Sequence, residues 1–433
     1  MILLKILQVI LALSTLVLIH ELGHFAFAKL FKIRVDKFYL FFDWGFSLFK
    51  FKPKGSDTEY GIGWLPLGGY CKIAGMIDES LDTESLKTAP QPWEFRSKPA
   101  WQRLLVMAGG VLFNFIFAIL VYIGLMAGWG ESYISNENSE IYVNELAYEM
   151  GFRNGDKILK FDDYTPEKFD MLQADLARQT ARKATIVRDG DTLDLYIDNS
   201  RIGDVLNSPG MFGLAVPFII DTIPPVSPNS SAGLKRGDRI ISLCDSQVKY
   251  VQDSRNIIKG FAGKSIPSTI LRGKDTLEMT LQVDTSGLLG IYAQIPGIKT
   301  KDYNLISAIP AGIRHTFGTI GGYIQDLKLV FTPSTEAYKS VGSFIAMGQI
   351  FPASWDWYRF LNILALLSIM LGVMNLLPIP ALDGGHIVFT IYEMITGRKP
   401  SDKFLTGAQI IGMILLFGLM ILAFGNDIGR LVK

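Results

Sequence analysis

Four long apolar stretches constrain the fold of this chain more than any other feature. They cover about residues Ile6–Phe31, Leu104–Trp129, Phe360–Leu382 and Leu405–Phe424. A helix needs about 20 mostly apolar residues to cross a bilayer, and each stretch comes close to that length. The first stretch is too long for a signal peptide, and no small-residue cleavage site follows it. The sequence therefore predicts a polytopic α-helical membrane protein with four transmembrane helices.

Lysine and arginine residues beside these helices indicate how the chain crosses the membrane. They follow the first helix, precede the second, and lie between the third and fourth, as Lys29, Lys32, Arg34 and Lys37, then Lys98 and Arg103, then Arg398, Lys399 and Lys403. Residues 127–152, just after the second helix, contain neither type. Because positive charge collects on the cytoplasmic side, both short connections are predicted to be cytoplasmic. Both termini and the long middle region would then lie outside.

Composition argues against nucleic-acid binding and against a disulfide framework. The 433 residues carry a formal net charge of only +1, which gives no electrostatic reason to expect a nucleic acid. Cys71 and Cys244 lie far apart in unrelated contexts. Neither a disulfide framework nor a cysteine metal site is therefore supported.

The region between the second and third helices is polar, rich in turns and repetitive. Residues 151–163, GFRNGDKILKFDD, match residues 233–245, GLKRGDRIISLCD, and a helix-like segment and alternating strands follow each copy. The phrase Gly-hydrophobic-x-x-Gly-Asp-x-Ile resembles the turn and strand of PDZ domains, which bind extended peptides by strand addition. We predict two tandem extracytoplasmic PDZ-like α+β domains. Two spacer domains without a ligand are the alternative.

The segment after the second copy is too polar to cross a bilayer. Residues 310–331 place apolar residues at helical spacing with polar residues between them. This pattern predicts an amphipathic segment at the outer membrane interface. Its histidine, His315, would lie across the membrane from the other three, so we predict an interfacial side chain rather than a metal ligand.

Two histidines and a glutamate interrupt the first apolar stretch, VLIHELGHFAF, at the spacing of a metal site. His20 and His24 are four residues apart and share one helix face, and Glu21 can reach a metal-bound water. Ionisable groups in a spanning helix are costly, so their default interpretation is functional. A catalytic zinc takes three protein ligands and keeps one position open. A third ligand must therefore come from elsewhere in the chain.

The end of the third apolar stretch, NLLPIPALDGGH, contains a candidate for that ligand. Asp383 lies among apolar residues, and two prolines break the helix before it; irregular backbone at membrane depth is tolerated where it lines a cavity. The first and third helices both run from outside to inside, and His20 lies about 25 Å along the first. Both sites then fall in the cytoplasmic half of the bilayer. His386 is predicted to support the site or start a helix, because a fourth protein ligand would exclude water.

Together these features resemble the site-2 protease family of intramembrane zinc metalloproteases, over essentially the whole chain. The motif H-E-L-G-H in a first membrane helix, N-x-x-P-x-x-x-L-D-G in a later one and the tandem PDZ-like domains carry the resemblance. It implies His20, His24 and Asp383 as zinc ligands and Glu21 as the general base that activates the zinc-bound water. It also implies that Asn375 contacts the substrate or the developing oxyanion, with capping of the broken helix as the alternative.

The apolar segment EYGIGWLPLGGYCKIAGM, residues 59–76, is predicted to form a β-hairpin or looped sheet. Its apolar residues alternate, and its glycines permit close approach of another chain. It resembles the membrane-re-entrant β-region of the family, which presents a strand edge to the substrate. Gly68, Gly69 and Tyr70 are accordingly predicted to bind substrate. An ordinary cytoplasmic hairpin is the alternative.

The resemblance implies regulated intramembrane proteolysis in the bacterial inner membrane, as part of a stress response. The expected substrates are single-span membrane proteins, namely anti-sigma factors and remnant signal peptides, cut within or near the membrane segment. Membrane lipid is the other expected partner. The PDZ-like domains would lie in the periplasm as peptide binders or as a size filter. A membrane scaffold with structural zinc and a metal transporter are the rival functions, but neither explains the general base.

The predicted organisation has nine segments. In chain order they are residues 1–34 (first membrane helix with HELGH), 35–103 (cytoplasmic or re-entrant β region), 104–129 (second membrane helix), 130–220 and 221–303 (the two PDZ-like domains), 304–358 (amphipathic outer-interface segment), 359–386 (third membrane helix with the LDG motif), 387–404 (cytoplasmic loop) and 405–433 (fourth membrane helix and C-terminus).

Overall fold

The computed structural model describes residues 2–76, 89–208 and 210–432, and the chain divides into two compact units. The helical unit contains Met1–Gly130, Asp302–Lys328 and Tyr338–Lys433. The sheet unit contains Glu131–Lys301 and Leu329–Ala337. Each unit is described by itself below.

The described residues form helices and strands throughout both units. The helices are α1 Ile2–Leu30, α2 Ala100–Trp129, α3 Glu145–Glu149, α4 Leu172–Arg178, α5 Ile202–Asn207, α6 Val251–Ile258, α7 Leu305–Val330, α8 Phe344–Ile350, α9 Trp357–Leu376, α10 Asp383–Thr396 and α11 Asp402–Val432. The strands are β1 Val35–Phe51, β2 Glu59–Ile73, β3 Glu131–Ile134, β4 Ile141–Val143, β5 Lys157–Phe161, β6 Lys183–Arg188, β7 Asp191–Tyr196, β8 Phe212–Leu214, β9 Ile220–Thr222, β10 Arg239–Leu243, β11 Ser246–Gln247, β12 Ser265–Arg272, β13 Asp275–Gln282, β14 Tyr292–Ala293 and β15 Ile298–Lys301.

Within the described part of the chain, four helices are long and apolar enough to cross a membrane: α1, α2, α9 and most of α11. The predicted set of four apolar helices is confirmed. The third helix, however, ends at Leu376 rather than at Leu382. Pro378 and Pro380 explain the early end, because proline lacks the amide donor that a helix needs and disfavours helical backbone in the preceding residue.

A further helix, α10, occupies residues that the sequence analysis treated as the end of the third membrane helix and the start of a cytoplasmic loop. Asp383 is its first residue, and Gly397 ends it with a left-handed backbone (φ 68°). The backbone N–H of Gly397 donates to the carbonyl of Glu393 at 2.8 Å, as glycine commonly does after a helix. Residues 387–396 are therefore helical, and a loop follows them.

Helix α2 lies at the centre of the helical unit, with α1 and α9 packed against it. Glycines permit the approach of α1, since a Cβ atom on Gly109 would lie 2.6 Å from the carbonyl oxygen of Gly23. On the α9 side, the Ser368 hydroxyl donates to the backbone carbonyl of Asn114 at 2.9 Å. The surrounding α2–α9 core consists of Ala118, Tyr122, Leu125, Ala365, Ile369 and Val373. These contacts fix both neighbours of α2.

The segment predicted as a β-hairpin or looped sheet forms one half of a curled sheet, and strand β1 forms the other half. Residue Tyr39 pairs with Gly61 on one side and with Tyr70 on the other, and Phe49 pairs with Ile62. The order across the sheet is therefore residues 47–51, 59–63, 35–40 and 69–73. Residues 69–73 form one edge. Residues 35–103 were predicted as a β region, but the pairing of β1 with β2 was not, because pairing between distant segments leaves no local pattern beyond alternation.

The sheet unit contains two similar sheets built around the repeated motif. One has strand order β5-β6-β7, and the other β11-β10-β12-β13. Arg188 donates two bonds of 2.8 Å to Asp156 and one of 2.8 Å to the carbonyl of Gly151.

Arg272 repeats this arrangement with Asp238 and the carbonyl of Gly233, at 2.8, 2.7 and 2.8 Å. The hydrogen bonds from Arg272 lower the pKa of Asp238 below its usual value, against the opposing effect of burial. The Gly-Asp motif in both copies thus holds a bidentate arginine.

The boundaries of the sheet unit differ from the predicted domain limits. Strand β15, expected in the second domain, pairs with β3 at the start of the first. Leu329 and Ala337 pack into the core of the first copy. Residues 329–337 therefore belong to the sheet unit and not to the predicted interface segment. Helix α7 carries exposed apolar side chains such as Ile306, Ile309 and Phe317; its location at a membrane interface stays a prediction.

Candidate functional site

Helix α1 presents His20 and His24 on one buried face, with side chains directed towards α2. The Nδ1 atom of His24 lies 2.8 Å from the backbone carbonyl of Val106, which can only accept a hydrogen bond. The Nδ1 atom of His24 therefore carries a proton, which makes Nε2 the ring nitrogen able to bind a metal. A hydrogen bond of this kind is the usual way in which a protein orients a metal-binding imidazole.

Asp383 joins the two histidines because the chain turns sharply between α9 and α10. A Cβ atom on Gly384 would lie 2.5 Å from the carbonyl oxygen of Leu376, so only glycine fits this turn. The carboxylate also sits in the first turn of α10. The positive end of the helix dipole favours negative charge there.

The three side chains bring one oxygen and two nitrogens together. His20 Nε2 and His24 Nε2 are 3.2 Å apart, and Asp383 Oδ2 lies 3.2 Å from the first and 3.4 Å from the second. Tetrahedral zinc with bonds of about 2.0–2.1 Å separates its ligand atoms by about 3.3 Å. The triangle therefore has the dimensions of a zinc site.

Hydrogen bonds alone do not explain why these three atoms lie so close together. Each Nε2 carries either one proton or one lone pair, so hydrogen bonds cannot form along all three edges. Asp383 Oδ2 is buried and accepts no hydrogen bond of good geometry. Among the residues that the structure describes, His20, His24 and Asp383 are the group able to hold a metal ion. The donor set suits zinc.

Glu21 lies beside this triangle but outside it. Its carboxylate interacts with both imidazoles and with the backbone of Cys71 in β2. A glutamate in this position can exchange a proton with a molecule bound at the triangle.

A cavity of about 680 Å³ opens in front of the triangle. Its walls come from α1, the sheet edge at residues 69–73, the turn before α10, and α11. The volume matches that of pockets that bind small molecules or peptide segments.

Comparison with known proteins identifies the family. A model described as "Peptidase family M50" matches residues 8–419. The chain belongs to this family. The recognition of a site-2 protease from the sequence motifs is thereby confirmed, and this M50 peptidase is a zinc-dependent protease of the inner membrane. Family membership decides against the scaffold and the transporter.

Several curated relatives match this M50 peptidase from end to end. "Putative zinc metalloprotease" of Xylella fastidiosa strain Temecula1 is 28% identical over 97% of both chains. "Regulator of sigma-E protease RseP" of Escherichia coli strain K12 is 29% identical over 98% of both. "Putative zinc metalloprotease" of Thermotoga maritima is 26% identical over 98% of both.

The other histidines of the M50 peptidase stand apart from the triangle. His386 lines the cavity without belonging to the group of three. The ring of His315 makes an edge contact with Tyr122, at 4.5 Å between ring centres.

The residues predicted to bind substrate divide into two groups. Asn375 lines the cavity and its Nδ2 lies 3.3 Å from His20 Nε2; Gly69 and Tyr70 also line it. Gly68 is not part of the described lining, and its φ of 153° and the nearby Phe42 ring require glycine for steric reasons.

The side chain of Tyr70 is already engaged within the sheet. Its hydroxyl donates to Asp43 at 2.8 Å, and its ring stacks on Tyr39. Burial and the Asp43 carboxylate raise the pKa of Tyr70 well above its usual value. The hydroxyl of Tyr70 is therefore already occupied, and substrate binding by this residue stays a prediction.

Two polar residues near the site were missed as functional candidates. Gln409 in α11 is 3% exposed and lines the cavity, and close contact between Gly412 and the backbone of Ala381 holds this part of α11 against the site. Asn114 in α2 is fully buried beside His20. The available signal was a polar residue inside a spanning helix.

Proposed function

We propose that this peptidase hydrolyses peptide bonds within or near the membrane segment of single-span proteins. In this proposal His20, His24 and Asp383 hold the zinc ion and Glu21 is the general base. One observation carries it: a triangle of zinc dimensions lies inside a cavity whose walls include helices apolar enough to cross a bilayer.

The chemistry divides between zinc and the carboxylate of Glu21. Bound zinc lowers the pKa of a water ligand and polarises a peptide carbonyl. Glu21 accepts the proton of the attacking water and then donates it to the leaving nitrogen. Its contact with the Cys71 backbone holds the carboxylate beside the triangle.

Asn375 supplies a hydrogen-bond donor to the reacting carbonyl. Its amide nitrogen lies 3.3 Å from a proposed ligand atom, His20 Nε2, and so within reach of groups bound at the same centre. An oriented amide donor stabilises the negative charge that develops on the carbonyl oxygen.

The sheet edge at residues 69–73 presents the substrate. A membrane helix hides its peptide bonds in internal hydrogen bonds, so hydrolysis requires local unwinding. The freed backbone groups then need partners, and strand addition provides them. The edge pairs with β1 on one side only within the described residues, lines the cavity through Gly69, Tyr70 and Cys71, and passes Glu21. The sheet would re-enter the membrane to do so.

The substrates and the orientation follow from the relatives and from the charge pattern. Relatives named "Regulator of sigma E protease" support an anti-sigma factor as substrate, with remnant signal peptides as a second class. The cytoplasmic excess of lysine and arginine supports an active site in the cytoplasmic half of the bilayer. The two PDZ-like copies of the sheet unit would then lie in the periplasm, as a size filter or as peptide binders.

The decisive experiment measures cleavage and zinc content together. The full chain is reconstituted in lipid with a pre-trimmed single-span substrate, beside the variants Glu21→Gln, His20→Ala, Glu149→Gln and His315→Ala. Glu21→Gln should keep its zinc and lose cleavage, and His20→Ala should lose both. The last two variants alter a glutamate and a histidine outside the triangle and should behave as wild type. Cleavage by Glu21→Gln would refute the assigned mechanism.

A further inference from the structure

We propose that Asn114 is a positioning residue, which accepts a hydrogen bond from His20 Nδ1–H and so keeps His20 Nε2 available as a zinc ligand. The inference rests on the ligand set proposed above. It gives Asn114 a role that helix packing alone does not include.

The side chain of Asn114 faces His20 in the interior of the helical unit. Asn114 is 0% exposed, and its Nδ2 atom lies 3.1 Å from His20 Nδ1. Its Oδ1 atom is buried and has no hydrogen-bond partner among the described residues. A buried amide oxygen without a partner is costly, so this site calls for a donor.

The protonation of His20 supplies that donor. His20 Nε2 is the nitrogen that faces the triangle, 3.2 Å from Asp383 Oδ2. To bind a metal, Nε2 must present its lone pair, and the neutral imidazole then carries its proton on Nδ1. This Nδ1–H needs an acceptor, and the Asn114 amide lies 3.1 Å from Nδ1.

A half-turn of the amide pairs the Asn114 oxygen with the Nδ1–H of His20. The oxygen and nitrogen of an asparagine amide have nearly the same size, and rotation by 180° exchanges them without changing the packing. Oδ1 then lies where Nδ2 lies, 3.1 Å from His20 Nδ1. Without this rotation, Asn114 Nδ2 donates to an unprotonated His20 Nδ1. The His20 proton is then on Nε2, where it blocks metal binding.

One face of α2 contacts both His20 and His24. Val106, Gly110 and Asn114 follow one another at intervals of four residues and therefore share a helix face. The carbonyl of Val106 accepts from His24, Gly110 leaves room for both rings, and Asn114 faces His20. One helix thus orients both imidazoles, through a backbone acceptor and a side-chain acceptor.

The test compares zinc affinity in two variants of the full chain, measured by chelator competition in detergent. Asn114→Asp keeps an acceptor and should hold zinc within about threefold of wild type, because carboxylates commonly orient zinc-bound histidines. Asn114→Leu keeps the volume but removes the acceptor, and its affinity should fall by about 10- to 100-fold. A packing role predicts the opposite order, since leucine suits a membrane helix and aspartate does not.

Controls separate this inference from the proposed function. Ser368→Ala removes the bond to the Asn114 backbone without touching His20, and should keep wild-type zinc affinity. His20→Leu should lose zinc; if it binds zinc normally, the ligand set itself is wrong. If His20→Leu loses zinc while Asn114→Leu keeps it, or if Asn114→Asp loses as much as Asn114→Leu, the role of Asn114 is refuted. Thermal unfolding of each variant identifies any loss caused by misfolding.

Discussion

Replacing Gly110 by alanine should disrupt the zinc site through a single methyl group. A Cβ atom on Gly110 would lie 2.5 Å from His20 Cε1 and 2.7 Å from His20 Nδ1, and closer still to His24 Nε2. Ordinary contacts begin at 3.4 Å, so the two rings must retreat by about 1 Å. Zinc–ligand distances tolerate only about 0.2 Å.

The expected loss in Gly110→Ala is at least about 100-fold in zinc affinity, or about 2.7 kcal/mol, with cleavage falling at least as far. Gly124→Ala and Gly128→Ala lie in the same helix, where an added methyl group meets nothing within 4 Å, and should match wild type. Chelator competition on the purified proteins gives the affinities. Wild-type affinity in Gly110→Ala would show that the rings do not occupy the face of α2 described above.

Three further predictions concern other parts of the molecule. The pKa of Asp238 is lowered chiefly by Arg272. The Asp238 carboxylate therefore stabilises the fold above its unfolded pKa of about 3.9, and this stabilisation is lost as the pH falls through the lower pKa of the folded state. Arg272→Met should speed amide exchange in β10 and β12 at pH 7, with a smaller difference from wild type at pH 3. Gln409→Leu should raise KM for a membrane substrate about fivefold, the value of one hydrogen bond, with kcat and zinc content unchanged; an unchanged KM would exclude Gln409 from substrate contact. Deletion of residues 141–284 should allow cleavage of untrimmed substrates. If the deletion variant still leaves untrimmed substrates uncleaved, the residues do not act as a size filter.

The local parts of the site were predictable from the sequence. His20 and His24 share a face because they are four residues apart on a helix, and the apolar run around them identifies that helix. Pro378 and Pro380 marked a break before Asp383, although the predicted apolar stretch extended past them to Leu382. Each of these signals lies within about ten residues.

The missed features depend on contacts between distant segments. Strand β1 provides two of the four segments of the sheet, whereas a complete hairpin or looped sheet was predicted within residues 59–76. The role of Asn114 was missed, because its relation to His20 exists only after α1 and α2 approach through Gly23 and Gly109. Gln409 is a single amide in an apolar helix, and only the folded cavity gives it a neighbour.

The three proposed ligands are synthesised at different times, because Asp383 lies beyond the early end of the third spanning helix. Asp383 follows that break and leaves the ribosome long after His20 and His24. A growing chain that has inserted its first two helices therefore contains HELGH but lacks the third proposed ligand. With the proposed ligand set, the metal site is complete only when Asp383, at the start of α10, lies beside His20 and His24 of α1.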